Sequence, residues 1–304
     1  MAGGRYAPSP TADLHVGNLR TAVVAWLFAR SAGSRFLMRI EDLDPSTRNG
    51  SFEHRQLDDL RALGLDWDGE PMRQSERTEA HHDAIAQLDA AGHLYRCYCS
   101  RREVREAAQA AHGPPTHYPG TCRDLSRQEQ LERETNGRPA ALRFRGDAGT
   151  IEFEDRIAGR SSAPVDDVVL QRNDGTPAYN LAVIVDDAEQ GVEEVVRGND
   201  LLDSTPAQIA VARALGLSEP TYAHVPLVLG PSGERLAKRD GAVTLAELSA
   251  AGRDATWLLS EIAHSLGLAD AGEPVSSREL LGRFDPSAIT WTTWTFDPAS
   301  EVIP

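Results

Sequence analysis

Arg5-Tyr6-Ala7-Pro8-Ser9-Pro10-Thr11, then His15-Val16-Gly17-Asn18, then Arg35-Phe36-Leu37-Met38-Arg39-Ile40-Glu41-Asp42-Leu43-Asp44: the stretch from Arg5 to Asp44 decides the fold. A short extended segment, Arg5 to Ala7, runs into a Pro-punctuated turn. A helix opens near His15, and Ala22, Val23, Trp26, Leu27 and Ala29 recur at its spacing, predicting a buried face. After Gly33, the β-rich run from Arg35 to Ile40 predicts a second strand that ends in acidic residues. The order is strand, helix, strand, with polar residues gathered where strand ends meet the helix start. In parallel α/β sheets, ligands bind at that edge.

The turn suits phosphate, because a helix start offers free N–H groups and the positive end of a dipole. Gly17 has no Cβ, so backbone can approach a ligand closely there, and His15 and Asn18 add side-chain donors. Neither GxGxxG nor GxxxxGK[ST] occurs, so these are not the common glycine-rich nucleotide loops.

Composition bounds the rest. The chain has 304 residues, 40% hydrophobic and 25% charged, giving room for two or three domains. Its net charge of −15, from 31 basic against 46 acidic residues, argues against a protein coated in basic surface. Nucleic-acid contact would therefore need a local basic patch. No apolar run approaches the ~20 residues of a membrane span, and Met1-Ala2-Gly3-Gly4 carries no signal-peptide core. The expected location is the cytoplasm and the expected state a monomer.

Downstream, helices are predicted from Asn49 to Leu63 and from Glu76 to Ala91, with a short third strand across Gly64 to Gly69. From Cys97 to about Pro164 the character changes. Charged helices alternate with a turn-rich segment and short strands near Ala141–Arg145 and Ile151–Asp155, which suggests an inserted subdomain. Asp167–Gln171 and Ala178–Val185 resume apolar strand patterns, a helix that starts at Asp203-Ser204-Thr205-Pro206 runs to Leu215, and Ala223–Leu229 is strand-like. Beyond Gly241 the pattern is mostly helical, with Leu258, Leu259, Ile262 and Leu266 at helical spacing.

Cys97, Cys99 and Cys122 are the only cysteines, an odd and clustered set that argues against a disulfide framework. Three thiolates need a fourth ligand for tetrahedral zinc, and ligand chemistry alone nominates His117 or His112.

Four ordered motifs give a resemblance. RYAPSPT with HVGN and RIEDLD resembles the opening of the glutamyl- and glutaminyl-tRNA synthetases, class I enzymes whose ATP site carries the HIGH signature. Tyr179 to Asp187, Val196-Arg197-Gly198-Asn199-Asp200, and Gly233-Glu234-Arg235-Leu236-Ala237-Lys238-Arg239-Asp240-Gly241 are similar to later segments of that family, the last to its KMSKS loop. Ala237 stands where that loop usually has Ser, and Arg235 replaces its first Lys.

The resemblance implies an α/β fold: a Rossmann-type class I core at 1–96 and 166–241, an inserted zinc-binding α+β subdomain at 97–165, and a helical stem-contact region at 242–304. It implies ATP with Mg2+ at His15, Gly17, Asn18, Arg235 and Lys238, with His15, Asn18 and Lys238 catalytic. It also implies L-glutamate against Arg5, Tyr6, Ala7, Pro8, Ser9, Glu41, Tyr179 and Arg197. Glu41 is expected on the amino group, and Arg5 and Arg197 are the expected readers of the side-chain carboxylate, since planar guanidinium binds carboxylate in bidentate fashion. One structural zinc is expected on Cys97, Cys99, Tyr118 and Cys122, since the C-x-C…Y-x-x-x-C spacing of some family members fits Tyr118-Pro119-Gly120-Thr121-Cys122.

Only 63 residues follow Gly241, too few for the anticodon reader of a full glutamyl enzyme. The chain therefore resembles shortened family members that attach glutamate to the queuosine base of tRNA(Asp). The alternatives are a truncated enzyme charging the 3′ end of tRNA(Glu), a non-catalytic module binding tRNA or glutamate, and an adenylating enzyme with a small-molecule acceptor.

Overall fold

A computed structural model describes residues 3–45, 48, 50–110, 117–146, 149–234, 243–289 and 291–298. Arg235, Ala237, Lys238, Gly241 and His112 lie outside the described residues.

The first half runs β1 (Gly3–Tyr6), α1 (Val16–Ser31), β2 (Arg35–Ile40), α2 (Gly50–Ala62), β3 (Met72–Arg73), α3 (Thr78–Ala90), β4 (Leu94–Cys97), α4 (Arg101–Ala110) and α5 (Arg127–Thr135). It continues through β5 (Ala141–Phe144), β6 (Thr150–Asp155), β7 (Gly159–Pro164), β8 (Val169–Gln171), α6 (Tyr179–Gln190), β9 (Val192–Gly198), α7 (Thr205–Leu215), β10 (Thr221–Val225) and β11 (Val228–Leu229). The chain closes with α8 (Leu245–Ala250), α9 (Ala255–Ser265), α10 (Ser277–Arg283) and β12 (Trp294–Thr295).

The main sheet has seven strands in the order β3-β2-β1-β9-β10-β6-β7, parallel throughout except for the β6–β7 hairpin. From β1 the chain winds outward to β2 and β3, and from β9 it winds the other way to β10. The crevice at the carboxyl ends of β1 and β9 is thus a topological switch point, where such sheets bind ligands.

Helix α1 lies on one face of this sheet. Eleven of its residues are buried, including Val16, Leu19, Val23, Val24, Leu27 and Phe28. It is apolar around its circumference because it is covered twice, by the sheet and by the C-terminal helices. Leu258, Leu259, Ile262, Leu280, Phe284 and Phe296 belong to the same core as α1. The opposite face is packed by α3, α6 and α7 through Leu88, Leu181, Ile209 and Val211. A third cluster gathers Tyr95, Cys97, Tyr98, Tyr118 and Cys122.

The structure corrects several expectations. The first strand starts at Gly3 rather than Arg5. The two glycines are strand residues because β1 lies directly under α1. A Cβ on Gly4 would meet the Ala29 Cβ at 3.0 Å, and one on Gly3 would meet the Gly191 carbonyl oxygen at 3.2 Å. The third strand is Met72–Arg73 and not the Gly64–Gly69 segment. Ala178–Val185 is not a strand: Ala178 is the N-cap of α6, which Gly191 ends in the left-handed region at φ 66°. A five-residue apolar run, Leu181 to Val185, fits either period.

The inserted sheet is β4-β5-β8, all antiparallel, so β8 belongs with the insertion. The hairpin β6–β7, by contrast, extends the main sheet through Asp155 beside Tyr222. Neither follows the expected boundary at residue 165, because strand partners are chosen by packing across the fold and leave no trace in local pattern. Among the described residues, no helix is long and apolar enough to cross a membrane.

Candidate active site

The HVGN turn caps α1. The His15 Nδ1 accepts the Asn18 backbone N–H at 3.3 Å, and the Asn18 Oδ1 accepts the His15 N–H at 3.3 Å. The imidazole thus behaves as a reciprocal cap, and in its neutral form carries its hydrogen on Nε2. Gly17 is required by this arrangement, since a Cβ there would sit 3.0 Å from the His15 Cε1 and 3.1 Å from its Nδ1. The Asn18 Oδ1 is engaged by the cap, which leaves the side-chain NH2 as its donor.

The turn is tied to the chain that follows the KMSKS-like segment. The Val16 N–H donates to the Val243 carbonyl at 3.0 Å, and His15 bridges Thr244. On the other side of that segment β11 pairs with β12, aligning Val228 with Trp294 and Leu229 with Thr295.

A cavity of about 860 Å³ opens beside the turn and is lined by all eight residues expected around the amino acid: Arg5, Tyr6, Ala7, Pro8, Ser9, Glu41, Tyr179 and Arg197. His15, Gly17 and Asn18 line it too. The Glu41 N–H donates to the Pro8 carbonyl at 2.9 Å, joining the two walls contributed by the opening motif. Tyr6 acts as a wall: it is buried, and its hydroxyl donates to the Asn18 carbonyl at 3.2 Å. A second, wider cavity of about 1500 Å³ runs toward the inserted sheet. The two share Ser9, Thr11, Glu41 and Tyr179.

Two buried arginines of β1 and β2 meet one carboxylate of α6. Arg5 donates from Nε and Nη2 to Asp187 at 3.1 and 3.4 Å and from Nη1 to the Val196 carbonyl at 3.2 Å. Arg39 donates to Asp187 at 2.5 Å and to Glu41 at 3.3 Å. Burial alone would push the Asp187 carboxyl up, but Arg39 and Arg5 outweigh it and hold it below its ordinary value. Glu41 goes the other way: burial dominates its pairing with Arg39 and Arg5 and raises it. Two cations face two carboxylates, so this quartet is balanced. Arg5 uses three of its five N–H donors on the protein and has two left among the described residues.

Arg197 differs. It donates to the His224 Nε2 at 3.0 Å, Gln208 Oε1 at 2.7 Å, Thr205 Oγ1 at 2.8 Å and the Leu201 carbonyl at 3.5 Å. It is buried, with 6% of its surface exposed. Each of these partners is neutral, since burial lowers the His224 pKa more than its bond to Asp155 raises it. The Arg197 cation therefore reaches the cavity wall with no carboxylate in contact among the described residues. Tyr179 stands nearby, its phenol raised by burial.

In the inserted subdomain, the Cys97, Cys99 and Cys122 sulfurs lie within 4.8 Å of one another, and among the described residues this group includes no histidine. The Tyr118 hydroxyl lies 3.4 Å from the Cys97 sulfur and 3.7 Å from that of Cys99, and accepts the Cys122 N–H at 2.8 Å. Zn–S bonds of about 2.3 Å at tetrahedral angles set sulfurs about 3.8 Å apart, and the Cys99 and Cys122 sulfurs are 3.5 Å apart. The Arg143 guanidinium lies 3.8 Å from the Tyr118 ring centroid, a cation beside an electron-rich cluster. Hydrogen bonds from Cys122 and Cys99 draw the Cys97 thiol toward thiolate. The donor set fits a thiophilic cation.

Sequence pattern did not reveal Asp187, Arg39, Gln208, Thr205, Asp155 or His224. A usable signal existed for some of them: a charged residue inside an apolar strand, such as Arg39 in RFLMRI, is almost always paired.

A family model described as tRNA synthetases class I (E and Q), catalytic domain, matches residues 3–297. A Nocardia farcinica protein named Glutamyl-Q tRNA(Asp) synthetase is 57% identical over 291 residues, covering 96% of this chain and 92% of its own. A Symbiobacterium thermophilum protein of the same name is 48% identical, covering 95% of this chain and 94% of its own. The crystal structure of a glutamate tRNA ligase from Elizabethkingia meningosepticum, in complex with its amino acid, is similar with a TM-score of 0.80 at 26% identity, over 97% of this chain and 67% of that one. On this fold, these motifs and these matches, the chain belongs to the class I tRNA synthetases of the glutamyl and glutaminyl group, among relatives named glutamyl-Q tRNA(Asp) synthetase.

Proposed function

We propose that this ligase activates L-glutamate with ATP, without tRNA, and transfers it to the queuosine base of tRNA(Asp). The observation that carries the glutamate half is the Arg197 cation, buried at the cavity wall with only neutral partners among the described residues. A ligand carboxylate completes that charge, whereas a neutral amide leaves it uncompensated. The two remaining Arg5 N–H groups supply a second contact to the same side chain, and Glu41 takes the substrate ammonium.

In the first step a glutamate α-carboxylate oxygen bonds to the α-phosphorus of ATP while the bond to the bridging oxygen of pyrophosphate breaks. Negative charge builds on both phosphate groups, and fixed donors aimed there lower the barrier. The α1 N-terminus with His15 and Asn18 supplies donors, and Arg235 and Lys238 supply cations; Mg2+ bound with ATP would add further positive charge against the building negative charge. In the second step an acceptor hydroxyl displaces AMP from the glutamyl carbonyl. The wide cavity supports this step, since it meets the first at Ser9, Thr11, Glu41 and Tyr179, where an acceptor nucleotide reaches the activated carbonyl.

The same reading assigns one zinc to Cys97, Cys99, Tyr118 and Cys122, supported by Tyr118 lying on the thiol group that no described histidine joins. Held by these residues, zinc would supply a structural crosslink between Cys97 of β4 and the Tyr118–Cys122 turn. A cytoplasmic monomer completes the proposal.

The test is glutamate-dependent ATP–pyrophosphate exchange with no tRNA, with glutamine as control, followed by transfer of labelled glutamate to tRNA(Asp) with and without queuosine. Exchange with glutamate alone, and transfer only to the queuosine-bearing tRNA, are the expected results. Exchange appearing only with tRNA(Glu) would reassign the chain as a shortened conventional synthetase. No exchange under either condition would leave a binding module.

A further inference from the structure

Three adjacent strands set three side chains in a row across the sheet. Arg197 on β9 is in register with His224 on β10, and Asp155 ends β6 beside Tyr222. The side chains join end to end: the Arg197 Nε donates to the His224 Nε2 at 3.0 Å, and the His224 Nδ1 meets the Asp155 Oδ2 at 2.5 Å. All three are buried, with 6%, 1% and 4% of their surfaces exposed.

The other Asp155 oxygen accepts backbone N–H groups from Ile157 at 3.0 Å, Ala158 at 2.7 Å and His224 at 3.1 Å. Burial opposes ionisation of this carboxyl, but the bonds from His224 and the backbone prevail and bring it down to about 2. A carboxylate only accepts, so the His224 Nδ1 carries the hydrogen and its Nε2 is left with a lone pair for the Arg197 Nε–H. Helix α7 fixes the remaining edges through Thr205 and Gln208, and the Gln208 amide is itself oriented by donating to the Asn180 Oδ1 at 3.0 Å. Of five N–H donors Arg197 then has one left for a ligand among the described residues.

An acid in direct contact would orient Arg197 equally well but would neutralise it where the ligand must bind. An interposed neutral imidazole orients the guanidinium and holds the nearest carboxylate one ring away. We propose that His224 and Asp155 are positioning residues for recognition of the substrate's side-chain carboxylate, aiming Arg197 while leaving its charge for the ligand. This rests on the reading above that Arg197 meets that carboxylate.

The experiment compares His224→Phe, His224→Gln, Asp155→Asn and Arg197→Gln in tRNA-free ATP–pyrophosphate exchange. The readouts are KM for glutamate, KM for ATP, kcat and the glutamate-to-glutamine preference, with thermal unfolding as the check on folding. His224→Phe removes one hydrogen bond to a charged group and raises the glutamate KM about tenfold or more, with ATP KM and kcat near those of the parent. His224→Gln, whose Oε1 can accept the same N–H, recovers most of that loss, and the glutamate preference follows the same order. Asp155→Asn, which releases the tautomer, also raises the glutamate KM. A folded His224→Phe enzyme with an unchanged glutamate KM overturns the proposal. If that variant does not fold, an unchanged KM and preference in both His224→Gln and Asp155→Asn does so instead. A strong effect of Arg197→Gln beside no effect at His224 defeats the relay alone, whereas an unchanged glutamate KM in Arg197→Gln defeats the reading of Arg197 and the relay with it.

Discussion

Asp187→Asn tests the electrostatic framework of the site most directly. Asp187 is 8% exposed and receives Arg5 at 3.1 and 3.4 Å and Arg39 at 2.5 Å. Asparagine keeps the volume but removes the charge and turns an NH2 toward a guanidinium. Two buried arginines are then left with Glu41 as their carboxylate partner. Removing one member of a buried pair costs about 3–5 kcal/mol, because the surviving charge stays desolvated. At about 2–4 °C per kcal/mol, Tm falls by about 10 °C. Urea unfolding at neutral pH measures the loss, and exchange kinetics measure the site: the glutamate KM rises because Arg5 is no longer held from α6. Adding Arg39→Met, which withdraws the surplus cation, should restore part of the stability through a coupling of about 1–3 kcal/mol. A Tm within about 2 °C of the parent, together with an additive double variant, would refute the balanced-quartet argument.

Three other outcomes are expected. Asp187 is held below its ordinary value and Asp155 sits at about 2, whereas an unfolded Asp titrates near ~3.9. The stabilisation from Asp155 is therefore present above about pH 4 and lost as pH falls toward about 2, and that from Asp187 is lost in the same direction; acid unfolding of Asp155→Asn should show a shallower slope over the Asp155 window, and an unchanged slope would remove Asp155 from the account. Cys122→Ser should lower zinc content from one per chain toward zero and lower Tm while tRNA-free exchange persists, and undiminished zinc in that variant would reject the assigned ligands. Lys238 is the single lysine among the 31 basic residues, so an amine-reactive reagent labels it and the α-amino group alone; ATP should protect Lys238, and equal labelling with and without ATP would exclude it from the nucleotide site.

The opening motif was legible because its chemistry is local. His15, Gly17 and Asn18 cap their own helix within one turn, and Arg35 to Ile40 forms the strand its composition predicts. What stayed hidden is non-local. Asp187 is separated from Arg5 by 182 positions, and Asp155 from His224 by 69, so neither pairing leaves a periodic trace. The segment Tyr179–Gln190 misled because Leu181, Ala182 and Val183 are buried, and a contiguous apolar run is what a buried strand also shows. Beyond the helical spacing of Leu258 to Leu266, Phe284, Ile289 and Phe296 are buried in the core beside α1; isolated apolar residues bury surface without any period.

The place of β1 in the sheet has a consequence for how the chain is made. Its neighbours are β2, reached within forty residues, and β9, where Gly3 aligns with Val192. During synthesis the first strand leaves the ribosome long before its second partner exists, with one edge unpaired for the time taken to add nearly two hundred residues. At about 5–20 residues per second that interval lasts ~10–40 seconds. Non-local pairing of this kind also slows folding once the chain is complete. The glycines at positions 3 and 4 suit that wait, because a strand opening on two residues without side chains offers little apolar surface to a wrong partner before α1 and β9 close over it.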